Sequence, residues 1–428
     1  MGVRLVWTAA AAALLLVTGA LGGRPDVALL GVAPAVVALW GARARLGGAT
    51  VRGEVWADVV ARGAEAGTLH AAVRLTAPPG TEAVRVRVHR TGHADAEALV
   101  DVPLTRTLPV RAASVRTGPQ ELARVDAQGL GHGGDLTAPV ARTGRTSVTV
   151  LPRAGALTAL PLPFRLRGLT GQHSSRRPGE GGELRDVHPW QPGDSLRRVD
   201  WRATARRSPR GEELYTRRTF ALAEAHVTVV VDSRDDVGPD PATWSGARPV
   251  RPEDATSLDL ARSAAATVAQ AYLGAGDRVG LEDLGVRRRT LRAGGGRRQL
   301  DRVVHGLAIL RPQGDPAPRV RAPQLPSGTL VWVFSTFLDP EGARVAAHWR
   351  RAGHRVVAVD VLPPLRTRHL DARARLALRL VTLERADRLA DLTAAGVELV
   401  RWADDDAPAR LQLLARRSHR RPGAGVGR

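Results

Sequence analysis

The stretch Val187–Arg207, VHPWQPGDSLRRVDWRATARR, gathers residues that could make specific polar contacts. Pro192 and Gly193 predict a turn. The carboxylate of Asp194 could accept hydrogen bonds from nearby backbone N–H groups or pair with Arg197. The segment therefore predicts an ordered polar turn rather than a plain helix or a plain strand.

Two tryptophans flank this turn, Trp190 and Trp201. We expect Trp201 to be a large buried anchor, because a covered indole contributes much apolar surface. Aromatic side chains beside arginines are also typical of protein-binding hot spots. Two interpretations stay open: a clamp that fixes the segment on a neighbouring domain, or a surface that docks a partner or ligand.

The composition excludes several kinds of catalysis. All 63 basic residues are arginine, and without lysine neither a phosphate-binding P-loop nor Schiff-base chemistry is possible. The chain has no cysteine, which excludes disulfides, thiolate nucleophiles and cysteine-ligated zinc. The 12 histidines are scattered, with no H-E-x-x-H and no G-x-S-x-G motif. We therefore predict that the protein is not an enzyme.

The formal net charge of +21 would ordinarily suggest a nucleic-acid partner. All of the positive charge is arginine, in a chain rich in alanine, glycine and valine. Codon bias explains this pattern better than selection for phosphate contacts. We expect a solvated basic surface and no nucleic-acid partner.

Residues 1–46 predict a membrane anchor. Val3–Leu21 is apolar except for Arg4 and two threonines, and it nearly spans a hydrocarbon core about 30 Å thick. A second apolar run, Val27–Trp40, contains Pro34. We predict a two-helix transmembrane hairpin. A cleaved signal peptide is the alternative, and the second apolar run counts against it.

Arginines flank both ends of this hairpin. Arg4 precedes the first helix, and Arg43 and Arg45 follow the second. Basic residues favour the cytoplasmic side of a membrane. We therefore expect a protein of the cytoplasmic (inner) membrane, with both hairpin ends and the bulk of the chain on the cytoplasmic side.

Beyond the hairpin, periodicity divides the chain further. Residues 47–160 alternate with period two and predict a small β-rich, sandwich-like domain. Residues 161–220 hold a linker, with Pro161–Glu183 as a connecting loop, and the tryptophan-rich stretch. Residues 221–415 alternate apolar runs with helical stripes, which predicts an α/β fold with a doubly wound, mostly parallel sheet. The basic tail, residues 416–428, is predicted to be disordered and could contact anionic lipid.

Residues 182–206, the signature segment, resemble the signature of the domain-of-unknown-function family numbered 58. That signature has a Gly-Glu pair, an aromatic residue, Pro-Gly-Asp, Arg, an aliphatic residue, Trp and Ala-Arg. The matching positions are Gly182, Glu183, Trp190, Pro192, Gly193, Asp194, Arg197, Val199, Trp201, Ala205 and Arg206. Asp200 lies in the same segment. His188 departs from the usual Arg, and Trp190 from the usual Tyr or Phe.

The whole layout resembles this family, in which a von Willebrand factor A-like α/β domain follows the signature. The resemblance implies a membrane-anchored, non-enzymatic adaptor or scaffold, with the signature segment docking its partner. That partner is implied to be a MoxR-type AAA+ ATPase, with other membrane or envelope proteins, and the role to be assembly or maturation of complexes at the bacterial cell envelope. Two alternatives stay open: a Mg²⁺-dependent protein- or ligand-binding module, and an envelope hydrolase if the bulk lies outside the cytoplasm.

Von Willebrand A-like domains often hold Mg²⁺ through Asp-x-Ser-x-Ser after the first strand, with further oxygen ligands from later loops. The corresponding sequence here is DSRDD: Asp232 is in place, but Arg234 and Asp236 stand where the serines should be. The later loop offers Ser335, Thr336 and Asp339. We expect Arg234 to pair with Asp232 or Asp236 and to replace the ion. Asp232 and Asp236 are thus predicted to be a degenerate metal site, and no cofactor is predicted.

Overall fold

Contacts within the chain divide it into two units. A computed structural model describes residues 3–46, 56–65, 67–102, 105–131, 138–144, 146–157, 159–168, 171–208, 210, 213–285, 290–313, 322–404 and 406–420. The first unit contains Met1–Val115, Pro119–Val150 and Arg251–Glu253. The second contains Arg116–Gly118, Leu151–Val250 and Asp254–Arg428.

Two apolar helices open the first unit, α1 (Val3–Leu21) and α2 (Pro25–Leu46). They form a close antiparallel pair, in which a Cβ atom on Gly19 would collide with the backbone of Ala28. Such close approach through small residues is typical of helices in membranes. Among the described residues, Pro25–Arg43 is the one helical segment long and apolar enough to cross a membrane, whereas the apolar part of α1 is shorter.

The rest of the first unit is β-rich, as predicted. Its strands are β1 (Trp56–Glu65), β2 (Gly67–Thr76), β3 (Ala83–His89), β4 (Ala96–Val100), β5 (Thr105–Ser114), β6 (Gly118–Leu130), β7 (Ala141–Arg142) and β8 (Thr146–Val150). One sheet has the order β1-β2-β5 and the other β4-β3-β6-β7, with β8 also paired to β6. Both sheets contribute to one core, in which Val73, Val84 and Val125 are fully buried.

The second unit contains a long antiparallel hairpin. Strand β9 (His173–Pro189) pairs with β10 (Tyr215–Ala223), and the short helix α3 (Trp201–Arg207) lies between them in sequence. The predicted connecting loop over Pro161–Glu183 is therefore wrong from His173 onward. Gly179 and Gly181 do not end the strand; they let β9 pass so close to β10 that a Cβ atom at either would collide with it.

The predicted mostly parallel sheet is confirmed. Its strands are β11 (His226–Val231), β12 (Arg278–Asp283), β13 (Leu291–Gly294), β14 (Leu330–Ser335), β15 (Arg355–Asp360) and β16 (Glu398–Arg401). They have the order β13-β12-β11-β14-β15-β16, with β13 antiparallel to β12 and the other neighbours parallel. The continuous apolar runs seen in the sequence are the buried central strands.

Helices cover both faces of this sheet. They are α4 (Ser257–Gly274), α5 (Arg297–Ala308), α6 (Pro340–Arg351), α7 (Ala372–Ala394) and α8 (Ala407–Arg420). Apolar residues of α4, α5 and α8 form a core on one face, and those of α6 and α7 form a core on the other. Because α8 extends to Arg420, the predicted disordered tail cannot begin at residue 416; residues 421–428 lie outside the described residues.

A buried polar network fixes the start of α4. Thr256 and Asp259 form a capping box, each side chain accepting from the backbone N–H of the other. Asp259 Oδ1 also accepts from the backbone N–H and the hydroxyl of Thr117, at 2.6 and 2.7 Å. Arg262 donates to the carbonyl oxygen of Thr117 at 3.0 Å. Thr117 is thus a structural part of the α/β unit, although it lies 142 residues before Asp259 in the sequence.

Candidate functional site

The carboxyl edge of the sheet brings together polar residues from two neighbouring strands. Strand β11 ends just before Asp232, and β14 ends at Ser335. These strands are parallel neighbours, so the residues that follow them meet at one edge. The Ser335 hydroxyl donates to Asp232 Oδ2 at 2.8 Å. With Arg234 and Asp339, these residues form what we call the strand-end cluster.

Arg234 lies across this cluster. Its Nε and Nη2 atoms donate to the two carboxylate oxygens of Asp232, both at 2.7 Å, and its Nη1 donates to Asp339 Oδ1 at 2.6 Å. The side chains of Asp232 and Arg234 are only 3% and 7% exposed. The predicted pairing of Arg234 with Asp232 is present, in the bidentate geometry that is strongest for arginine and carboxylate.

The electrostatics keep this guanidinium charged. Burial lowers the pKa of Arg234, but the hydrogen bonds and negative charges of Asp232 and Asp339 outweigh it and raise the pKa above its ordinary value. The cluster therefore holds a permanent cation, supplied by the chain itself, against the Asp232 carboxylate. Gly342 on α6 completes the enclosure, since a Cβ atom there would lie 3.1 Å from Asp232 Oδ2.

The structure does not bring Asp236 to Asp232. The Asp236 carboxylate lies near the start of α4, where it accepts from the Leu258 backbone N–H at 3.4 Å and from Arg116 Nη2 at 3.5 Å. Asp235, which sequence reasoning missed, lies beside Thr336 at 3.4 Å instead. Across the described part of the chain, no group of three or more His, Cys, Asp or Glu side chains is placed to hold a metal ion.

Asp235 carries an unfavourable charge. Burial, and then the negative charge of Asp232, raise its pKa above the ordinary value, and the nearby Arg234 offsets this only in part. The charged form of Asp235 therefore costs stability in the folded protein.

The signature segment is organised around Asp194. Its Oδ2 accepts from the Gln191 backbone N–H at 3.0 Å and from the Thr216 hydroxyl at 3.3 Å, and lies 2.9 Å from His188 Nε2. The hydrogen bond from Gln191, and then His188, hold the pKa of Asp194 below its usual value. Trp190 Nε1 donates to the Asp194 carbonyl oxygen at 3.0 Å. The backbone contact predicted for Asp194 is present.

A second carboxylate, Asp200, starts the short helix α3. It accepts from the backbone N–H groups of Arg202 and Ala203, at 3.1 and 3.0 Å, as an N-cap. Its other oxygen accepts from Arg217 Nε at 2.8 Å, which ties α3 to β10. Arg217, and then Ala203, lower the pKa of Asp200. Signature residue Asp200 therefore positions the helix on the hairpin.

The prediction that Trp201 is a buried anchor is wrong, because its side chain is 69% exposed. Helix α3 has only two turns, and Thr204 is its one buried residue. The side chain beside the Asp194 carboxylate is His188, and not Arg197 as one alternative predicted. Glu183, Pro192, Gly193, Arg197 and Arg206 are exposed.

Comparison with known proteins supports the family resemblance that the signature segment suggested. Residues 186–379 match the family model described as "Protein of unknown function DUF58". Relatives described as uncharacterized proteins of Mycobacterium bovis and Mycobacterium tuberculosis are 30% identical over an alignment of 230 residues, and the match covers 49% of this chain. The chain spans 65% of the length of these curated relatives. The predicted family resemblance is confirmed.

We expect Arg234→Ala to destabilise the carboxyl edge of the sheet. The change leaves the buried Asp232 carboxylate without its counter-charge, which costs about 3 kcal/mol. Native-state hydrogen exchange of the β11 and β14 amides in the full chain measures the loss. Millimolar Mg²⁺ should recover part of it if the vacated space accepts a divalent cation.

Arg410→Ala is the matched control, because it removes one half of an exposed ion pair with Asp406. Such surface pairs contribute little, so its amide protection should stay near that of the wild type. Equal protection in Arg234→Ala and Arg410→Ala would show that the cluster does not stabilise the edge.

We expect Asp235→Asn to stabilise the protein at pH 7. Because the folded-state pKa is raised, ionisation of Asp235 costs stability as the pH rises from the unfolded value, about 4, through the folded value. The gain should disappear below pH ~4, where the wild-type carboxyl is protonated in both states. Thermal melting at several pH values tests this, with the exposed Asp301→Asn as control. A pH-independent effect would contradict the assignment.

Proposed function

We propose, from the match of residues 186–379 to the DUF58 family model, that this chain is a membrane-anchored, non-enzymatic adaptor of the bacterial cell envelope. In this proposal it works with a MoxR-type AAA+ ATPase in the assembly or maturation of protein complexes. The observation that carries the proposal is an exposed aromatic and basic surface on the signature segment. We call this surface, formed by Trp190, Leu196, Trp201 and the neighbouring arginines, the docking surface.

Large apolar side chains dominate the docking surface. Trp201 is 69% exposed, Leu196 65% and Trp190 38%. Arg197, Arg202 and Arg206 are exposed around them. Exposed tryptophan beside arginine is the composition of interface hot spots, and it favours a partner surface that is apolar at its centre and acidic at its rim.

The docking surface is held in place before any partner binds. Asp194 fixes the turn that carries Trp190, and Asp200 fixes the first turn of α3, which carries Trp201. Both carboxylates are tied to β10, through Thr216 and Arg217. Since little conformational entropy is lost when rigid side chains bind, this arrangement suits specific recognition of a protein.

The α/β sheet supports assignment of a von Willebrand factor A-like domain. Numbered within the domain, its strands have the order 3-2-1-4-5-6, and the order reverses between β11 and β14. Ligands of open α/β sheets bind at such a reversal, which is where Arg234 lies. A guanidinium in that position favours an interaction domain without a metal function over the Mg²⁺-dependent alternative.

The N-terminal helices support membrane anchoring. Helix α2 is apolar over a length that can cross a bilayer, and α1 packs closely against it. With Arg43 exposed near the end of α2, the positive-inside rule favours the cytoplasmic side for the bulk of the chain. On that side the docking surface would be accessible to a cytoplasmic ATPase, and the basic tail to anionic lipid.

Variants at Trp201 and Asp194 should separate recognition from structure. Trp201→Ala removes exposed apolar surface, so we expect unchanged melting and a loss of recovered ATPase of about tenfold or more. Asp194→Ala removes the acceptor of the Gln191 amide, so we expect faster hydrogen exchange there and a parallel loss of recovery. The measurement is affinity purification of the detergent-solubilised chain with ATP and Mg²⁺, followed by mass spectrometry.

Leu413→Ser is the matched control, because Leu413 is a 56% exposed leucine outside the docking surface. It should recover the ATPase as the wild type does. Recovery of no AAA+ ATPase with the wild type, or equal recovery with Trp201→Ala, would overturn the proposed partnership.

A further inference from the structure

Helix α7 buries one side and exposes an apolar stripe on the other. Arg385, Leu389 and Leu392 are its buried residues. On the opposite side, Leu376, Leu380 and Leu383 are 61%, 56% and 54% exposed. Their spacing of four and three residues places them on one face of the helix, the spacing by which helices pair.

Charges at the two ends of this stripe have opposite sign. Arg373 lies on the same face one turn before Leu376, and Glu384 and Asp387 lie on it after Leu380; all three side chains are exposed. The helix dipole favours the reverse order, acidic residues near the start and basic residues near the end. Intrinsic helix stability therefore does not explain this distribution.

We propose that α7 pairs antiparallel with α7 of a second copy of this chain, with Leu380 at the two-fold axis. Arg373 and Asp387 each lie seven residues from Leu380. In such a pair, Arg373 of each copy faces Asp387 of the other, and Leu376 packs against Leu383. The two Arg373–Asp387 pairs make the face self-complementary in charge, as a two-fold interface requires.

The charge pattern favours this occupant over the other candidates. A parallel pair would place arginine against arginine. An anionic membrane surface would attract Arg373 but repel Glu384 and Asp387 on the same face. An antiparallel second copy places Arg373 of each chain opposite Asp387 of the other, whereas Glu384 lies beside Leu376 and gains no opposite charge across the pair.

One helix face is small for an interface, so the pair is weak and dilution dissociates it. Confinement to a bilayer raises the effective concentration of the two copies. In this respect alone the inference rests on the membrane anchoring in the proposed function.

Cysteine cross-linking in membranes tests the arrangement, since the native chain has no cysteine. Two full-length chains with different tags are co-expressed, one with Arg373→Cys and the other with Asp387→Cys. One of the two ion pairs remains in this mixed dimer, and we expect a disulfide between the tags. Arg373→Cys alone should give no cross-link, because the two sites lie about 21 Å apart along the helices.

Leu380→Cys should cross-link to itself, whereas Thr382→Cys should not. Thr382 lies about 200° around the helix from Leu380 and is the matched control. A disulfide in Arg373→Cys alone would indicate a parallel pair, and no disulfide in Leu380→Cys would indicate no pair; either result overturns the proposal.

Charge reversal gives an independent test. Arg373→Glu and Asp387→Arg should each reduce the Leu380→Cys cross-link severalfold, and the double variant should restore it. Failure of the double variant to restore it would contradict the ion pair. Membrane fractionation and ATPase recovery are read from the same cells, so loss of anchoring or of the ATPase is distinguished from loss of the pair.

Discussion

The contact between Arg234 and Asp232 organises the carboxyl edge of the central sheet. The Arg234 guanidinium binds Asp232, which follows β11, and also Asp339, the N-cap of α6. Ser335, at the end of β14, joins the same carboxylate. The ends of β11 and β14 and the start of α6 thus share one buried charge pair. Open α/β sheets usually leave this edge for a ligand, and here the chain fills it with its own cation.

Filling this position with arginine constrains how the protein can recognise anything else. A metal ion can bind a carboxylate of a partner directly, but a guanidinium already bound to two carboxylates has few donors left for another. In the proposed function, recognition therefore rests on side chains on the outside of the unit. The exposed tryptophans of the signature segment and the leucine stripe of α7 are both of this kind, apolar at the centre with charge around them.

The sequence predicted features that depend on local pattern and missed those that depend on a distant neighbour. The central strands and α4 to α8 were recognised from continuous apolar runs and helical stripes, and Arg234 was expected to pair within its own loop. Strand β9 was missed because its partner, β10, lies some 40 residues later and its glycines looked like turn residues. The exposure of Trp201 depends on which parts of the chain lie near it in the fold, which no local pattern reports. Asp339, the second acceptor of Arg234, is 105 residues away in sequence.

The path of the chain through the two units limits how the protein can be divided. Three residues around Thr117 belong to the α/β unit, while the sequence before and after them belongs to the β-rich unit. A fragment starting near residue 151 would keep every strand of the central sheet but lose the threonine that meets Asp259 and Arg262. The buried side chains of Asp259 and Arg262 would then lack their hydrogen bonds to Thr117. Independent expression of the α/β part, or its excision by a protease, therefore carries a penalty that a linear map of domains would not show.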